Sequence, residues 1–251
     1  MHPFFSHENL ISLVKPFSEE LPYYRPFILH GRPEQIDLFL VGINPATAVS
    51  PEDGVDIDTW VETLMDPGLY STRHSSNGPT RLGIQGLLRY VKTYYPYSLL
   101  ETNINAFPTS RAIGLEEYSV KEAVIEGQHR FIRILTTHEP SLIILHSQHT
   151  TREFIDILVK YKWIHPRHVL KKTTIKHRET QFPHFTFTYP SGKKAKVFAC
   201  RHLQYFGHEG DSFQPFLHAL VPFLKEKAKI PYCPLSRDGV TGKEYMEEFR
   251  V

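Results

Sequence analysis

Leu38-Phe39-Leu40-Val41-Gly42-Ile43-Asn44-Pro45-Ala46-Thr47 passes from an unbroken apolar run straight into Gly, Asn and Pro. A run of strand length that stops at such residues predicts a buried strand over Ile36 to Ile43, with a tight polar loop at its C-terminal end. Open α/β sheets bind their ligands at that end of a strand. Gly42 has no side chain, so a ligand can approach the backbone there. Pro45 holds its own φ and biases Asn44 towards an extended conformation, which keeps the Asn44 amide pointing one way. An amide held like this can orient a water or read a base edge, because it offers a donor and an acceptor. Taken alone, Gly42-Ile43-Asn44-Pro45 also reads as a plain strand-ending turn.

The rest of the chain gives that turn its context. With 251 residues and 41% hydrophobic content, the chain has enough apolar surface for one large core. The N-terminus lacks a charged region followed by a long apolar stretch, and no apolar run approaches membrane-spanning length, so neither a signal peptide nor a membrane partner is expected. Cys200 and Cys233 are too few for a thiolate cluster or a disulfide scaffold, and a reducing, cytoplasmic setting follows, nucleoid-associated if the source is bacterial. The net charge of +2 hides an uneven distribution. Lys160, Lys162, Arg167, Lys171, Lys172, Lys176 and Arg178 crowd an acid-free stretch beside Tyr161 and Trp163. Such a stretch can follow a phosphate backbone, and it reads equally as a solvated linker.

Outward from the first strand, residues 1 to 35 lack periodicity beyond a short helix over Asn9 to Val14, and are expected as an irregular lead-in. Residues 46 to 78 carry many loop formers, with one helix near Thr59 to Met65, and predict a long functional loop or lid. Pro79 to Tyr95 has helical spacing. Leu99 to Thr109 reads as a second strand entering a polar turn, and either Asn103 or Asn105 can share the cleft of Asn44. Ser119 and Glu122 match a capping box ahead of another helix. Leu142 to His146 is a third apolar run, followed by a helical stripe at Phe154, Ile155, Leu158 and Tyr161. Phe185 to Tyr189 and Lys194 to Cys200 predict a hairpin, and a last helix begins near Asp211 or Ser212. Strand and helix in alternation predict an α/β fold, a three-layer α/β/α sandwich with a central, mostly parallel sheet. Its expected bounds are 36–224, with 225–251 as a polar tail. His146 and His149 stand three apart, as do His165 and His168, without a Cys or carboxylate at ligand spacing, so no metal is expected.

In this order the features resemble the uracil-DNA glycosylase superfamily, and near the first motif its mismatch-specific uracil/thymine branch. Gly42-Ile43-Asn44-Pro45-Ala46 is similar to that branch's Gly-Ile-Asn-Pro-Gly, with Ala46 at the last place. Leu100 to Pro108 resembles the middle strand, where an Asn pairs with the flipped base, and Asn103 stands at that position. Val197 to Leu203 resembles the final strand, which gives His202 the place of the catalytic histidine. There Leu203-Gln204-Tyr205 replaces the common Pro-Ser-Pro.

The resemblance implies a monofunctional DNA glycosylase. Asn44 would position the attacking water, since an amide has no useful pKa. His202, neutral, would donate to the base oxygen as charge develops there. Asn103 would hold the base edge in a pocket floored by Gly42, Ile43 and Pro45, with Tyr70 or Phe107 stacking on the base. Leu203, with Gln204 or Tyr205, would fill the gap left in the duplex. Arg201, Lys171 and Lys172 would meet the DNA. No Lys falls at the matched positions, so the expected product is an abasic site without strand cleavage, formed by a monomer without a cofactor. Two other readings stand: the same chemistry on a bulky hypermodified phage base, as antiviral defence, or a nucleic-acid-binding module that has lost the chemistry.

Overall fold

The computed structural model describes residues 3–34, 36–74, 78–109, 112–165, 174–180, 182–207 and 210–228. Six strands pair into one sheet: β1 (Phe27–His30), β2 (Leu38–Gly42), β3 (Leu99–Asn103), β4 (Leu142–His146), β5 (Phe185–Thr188) and β6 (Lys194–Cys200). Their order is β1-β3-β2-β4-β6-β5. The inner four run parallel, while β1 and β5 close the two edges antiparallel. The helices described are α1 (His7–Val14), α2 (Ile57–Met65), α3 (Pro67–His74), α4 (Pro79–Tyr94), α5 (Lys121–His138), α6 (Gln148–Lys160), α7 (Ile175–Arg178) and α8 (Gln214–Ala228).

β2 and β4 are apolar at successive positions because both faces of the inner sheet are covered, as a parallel sheet requires. Phe39, Val41, Ile143, Leu145 and Val197 pack in one layer with Trp60 of α2, Phe131 and Ile134 of α5, and Phe154 and Leu158 of α6. Leu38, Leu40, Leu142, Ile144 and Phe198 pack in the other with Leu87 and Val91 of α4 and Leu217 and Leu220 of α8. The fold is therefore α/β, with a mostly parallel sheet between two layers of helices. None of the described helices is long and apolar enough to cross a membrane.

From β2 the chain moves to β3 on one side and then back past β2 to β4 on the other. The strand order thus reverses around β2, and its carboxyl end lies at the switch point where open α/β sheets form their crevice.

Several expectations need correction. The lead-in of residues 1–35 holds the expected short helix, as α1, but the remainder is not irregular throughout, since it supplies the edge strand β1. Phe27-Ile28-Leu29 is too short an apolar run to announce itself by periodicity. The segment 46–78 carries the expected helix, as α2, and a second one, α3, that the loop formers concealed. The side chain of Asp56 accepts from the Thr59 N–H and starts α2, and Asp66 accepts from the Gly68 and Leu69 N–H groups at the start of α3. Ser119 does not cap α5, whose N-cap is Val120 with no side-chain bond. The last helix begins at Gln214, after a short 3-10 turn at Asp211–Phe213, and runs to Ala228, past the expected start of the tail.

Two contacts fix α4 over the sheet. Arg81 donates to both carboxylate oxygens of Glu101, at 2.5 and 2.9 Å, and His30 lies 3.2 Å from the same carboxylate. Burial would raise the Glu101 pKa, but Arg81 and His30 outweigh it and hold the carboxyl well below its usual range. Further along the same turn, a Cβ on Gly83 would stand 1.9 Å from the Leu203 carbonyl oxygen, so the α4 backbone lies directly on the turn Leu203–Tyr205.

Gly83→Ala tests that approach. In an open helix the change would stabilise by about 1 kcal/mol. Here the methyl meets backbone, and a loss of about 1–3 kcal/mol is expected in urea unfolding.

Candidate active site

The parallel register brings the carboxyl ends of the inner strands level. Gly42 pairs with Asn103 across β2 and β3, Val41 with Leu145 across β2 and β4, and His146 with Cys200 across β4 and β6. Alternation along each strand then puts Asn103, Gly42, His146 and Cys200 on the face covered by α4 and α8. A Cβ on Gly42 would stand 2.7 Å from Asn103 Oδ1 and 2.8 Å from His146 Nε2. The missing side chain is what lets two polar groups reach the same point on the strand. The His146 ring in turn meets the His202 ring edge to face, with centroids 5.4 Å apart. Asn103, Gly42, His146 and His202 thus form one unbroken row across the rim.

Each member of the row has a distinct electrostatic state. The Asn103 amide is buried, 6% exposed, and no described residue bonds it. Asn105 is spoken for: its Nδ2 donates to the Val124 carbonyl at 2.8 Å and its Oδ1 accepts from the Phe107 N–H at 2.9 Å. Asn105 therefore ties the chain to α5, and Asn103 is the asparagine at the rim.

His146 is 7% exposed, and its Nδ1 is buried without a partner. Burial first, and then the neighbouring His202, push its pKa down to about 3 against the opposing pull of the Glu101 carboxylate. The ring is neutral at any physiological pH. Directly after it, Ser147 adopts φ +91°, a region a side chain normally avoids. The Ser147 N–H donates to the Cys200 carbonyl at 2.9 Å and its hydroxyl caps α6 through the Thr150 N–H, which hold that conformation in place.

His202 opens the turn Leu203–Tyr205, where its Nδ1 accepts from the Gln204 N–H at 3.2 Å. An acceptor Nδ1 leaves the proton of the neutral ring on Nε2. Burial also lowers the His202 pKa. The ring is therefore a neutral donor.

Asn44 stands beyond the row, on the loop after β2. Residues 104–109 continue alongside that loop, with the N–H groups of Ile104, Asn105 and Thr109 donating to the carbonyls of Gly42, Ile43 and Pro45. Asn44 Nδ2 donates to Thr109 Oγ1 at 2.7 Å and to the Thr109 carbonyl at 2.9 Å. With the amine edge committed, Oδ1 is the acceptor left to hold a water. Pro45 is buried, and Ile43 is half-buried against the core.

Four expected roles are corrected. Tyr70 is 3% exposed, and the guanidinium groups of Arg25 and Arg81 lie over its ring at 5.4 and 5.5 Å, so it is closed to a stacking base. Phe107 is equally buried, against Tyr24. Leu203 is fully buried under α4 and is no surface wedge, whereas Gln204 and Tyr205 are exposed on the same turn. Arg201, half-buried, is already paired within the protein: its Nε donates to both carboxylate oxygens of Glu179 at 2.9 Å, and its guanidinium lies over Phe213. Lys171 and Lys172 lie outside the described residues.

His146 escaped the sequence reading because its spacing to His149 raised only a metal question. His149 instead pairs with Glu153 along the outside of α6. Among the described residues no three His, Cys, Asp or Glu side chains gather as a metal site. The signal available was position: His146 ends its apolar run as Gly42 and Asn103 end theirs. Two surface cavities, of about 460 and 420 Å³, are lined by other residues, the second by His30, Arg81, Arg89 and Lys92.

No model of a known protein family matches the chain, and none of the curated proteins compared with it does. What the rim can do chemically therefore rests on its atoms: a free amide, two neutral imidazoles and a bare glycine at a strand end.

The pKa of His146 makes a direct prediction. The unfolded chain's histidine takes up a proton near pH 6.5, which the folded one refuses until about pH 3. Across that window His146 makes native stability fall as pH drops, by about 1.4 kcal/mol per pH unit. Unfolding free energies of His146→Leu measured from pH 7 to pH 4 should show a correspondingly shallower slope.

Proposed function

We propose that the protein is a monofunctional DNA glycosylase of the uracil-DNA glycosylase type, acting on a uracil-like or modified pyrimidine. A duplex hides its glycosidic bonds, so such an enzyme must turn the nucleotide out of the stack and hold it by its base edge. The observation that carries this reading is the row at the sheet rim, in which an unbonded Asn103 amide and His146 Nε2 flank the bare Gly42 backbone and the His202 ring, with Nδ1 taken by the Gln204 N–H, meets the His146 ring edge to face.

Asn103 matches a base edge with its paired donor and acceptor, as amides do in DNA grooves. His202 donates to the base oxygen as charge gathers there, and its neutral state suits a donor that must not bind anions in the ground state. Asn44, latched to Thr109, offers Oδ1 to the attacking water. Gln204 and Tyr205, exposed beside His202, meet the opened duplex.

The test is a set of labelled oligonucleotides carrying uracil, mismatched thymine, hypoxanthine or modified cytosines, incubated with the protein and then cleaved with alkali at abasic sites. The protein should release the base from at least one. Asn44→Ala should lower that release by about 100-fold while DNA binding changes by no more than about threefold. Binding without release on every substrate would replace the enzyme with a binding module.

A further inference from the structure

A histidine buried as deeply as His146 ordinarily bonds both ring nitrogens or gives way to an aliphatic side chain. His146 does neither, since Nδ1 is buried without a partner and the ring is 7% exposed. An orphaned buried N–H is costlier and rarer than an unused lone pair, which favours the tautomer with Nδ1 bare and the proton on Nε2. Nε2 is also the atom that closes on Gly42, from which Asn103 Oδ1 is equally near.

We propose that His146 is a second base-contacting donor, whose Nε2–H acts with that of His202 on the carbonyl oxygen of the departing pyrimidine, while Asn103 Oδ1 accepts the neighbouring ring N–H. This rests on the glycosylase reading and adds a residue to it. As the C1′–N1 bond breaks, its electron pair passes into the ring and onto the carbonyl oxygen. Water adds to C1′, and the proton it sheds ends on the released base. Two neutral donors stabilise that oxygen more as its charge grows than before, which is what accelerates departure. The acceptor-donor pattern selects a ring that carries an N–H beside a carbonyl, as dioxopyrimidines do. A cytosine-type ring nitrogen would meet Asn103 Oδ1 lone pair to lone pair.

The experiment compares wild type, His146→Leu and His146→Gln on the oligonucleotide that the wild type cleaves best. His146→Leu fills the same space without a donor, and Gln restores a donor at similar reach. Single-turnover base release by His146→Leu should fall by about 100-fold, with oligonucleotide affinity within about threefold and a melting temperature no lower than wild type. His146→Gln should recover at least about a tenth of the wild-type rate. A packing role would instead lower the melting temperature in both variants and move affinity with it. Release by His146→Leu within about threefold of wild type would overturn the proposal and leave the glycosylase reading standing. A wild type that releases no base from any substrate would remove both.

Discussion

Parallel pairing of four strands in a register that ends them level is the constraint from which the candidate site follows. The pairing of Gly42 with Asn103 and of His146 with Cys200 leaves no freedom in which side chains share the rim, because a strand side chain can face only one of two ways. The same register obliges the middle position to be glycine. With Asn103 Oδ1 and His146 Nε2 already crowding that point, any larger residue would displace one of them. The reversal of strand order around β2 then opens the crevice at that strand and not at its neighbours.

The electrostatics of the rim depend on what lies beneath it. Glu101, on the same face of β3 and two residues before Asn103, is a buried carboxylate neutralised by Arg81 and His30. Replacing that pair by apolar residues would cost little in principle, since desolvation offsets most of the attraction. Its position does more: it pins the first turn of α4 to the sheet, and α4 in turn presses on the turn that begins at His202. The His202 imidazole is thus aimed by a chain of rigid contacts. The strained φ of Ser147 does the same for His146, ending β4 abruptly so that the ring stays at the rim.

Much of this was legible in the sequence. β2 and β4 announced themselves as unbroken apolar runs because both of their faces are covered, and Leu142 to His146 matched to the residue. Gly42 was legible because it ends such a run with a residue that strands do not favour, whereas Asn103 and His202, which follow polar residues, stood out only through the resemblance. The edge strand β1 and the helix α3 were not legible. Four residues carry too little periodicity, and Pro67-Gly68 reads as a breaker until Asp66 is seen to cap the helix. The fates of Tyr70, Phe107, Arg201 and Leu203 turned on long-range partners: Arg25 and Arg81, Tyr24, Glu179 and Gly83. Spacing along the chain carries no trace of such contacts. His146 lay between these cases, visible as a strand end yet meaningful only beside Gly42.

The account stands or falls on one extruded base meeting this row. A crystal structure of Asn44→Ala bound to an oligonucleotide carrying the base that the wild type releases would test it most directly. The account predicts the base turned out of the duplex, its edge within hydrogen-bond distance of the Asn103 amide and of Nε2 on both His146 and His202. A base still stacked in the duplex, or bound in the cavity lined by His30, Arg89 and Lys92 with the Asn103 amide untouched, would contradict it.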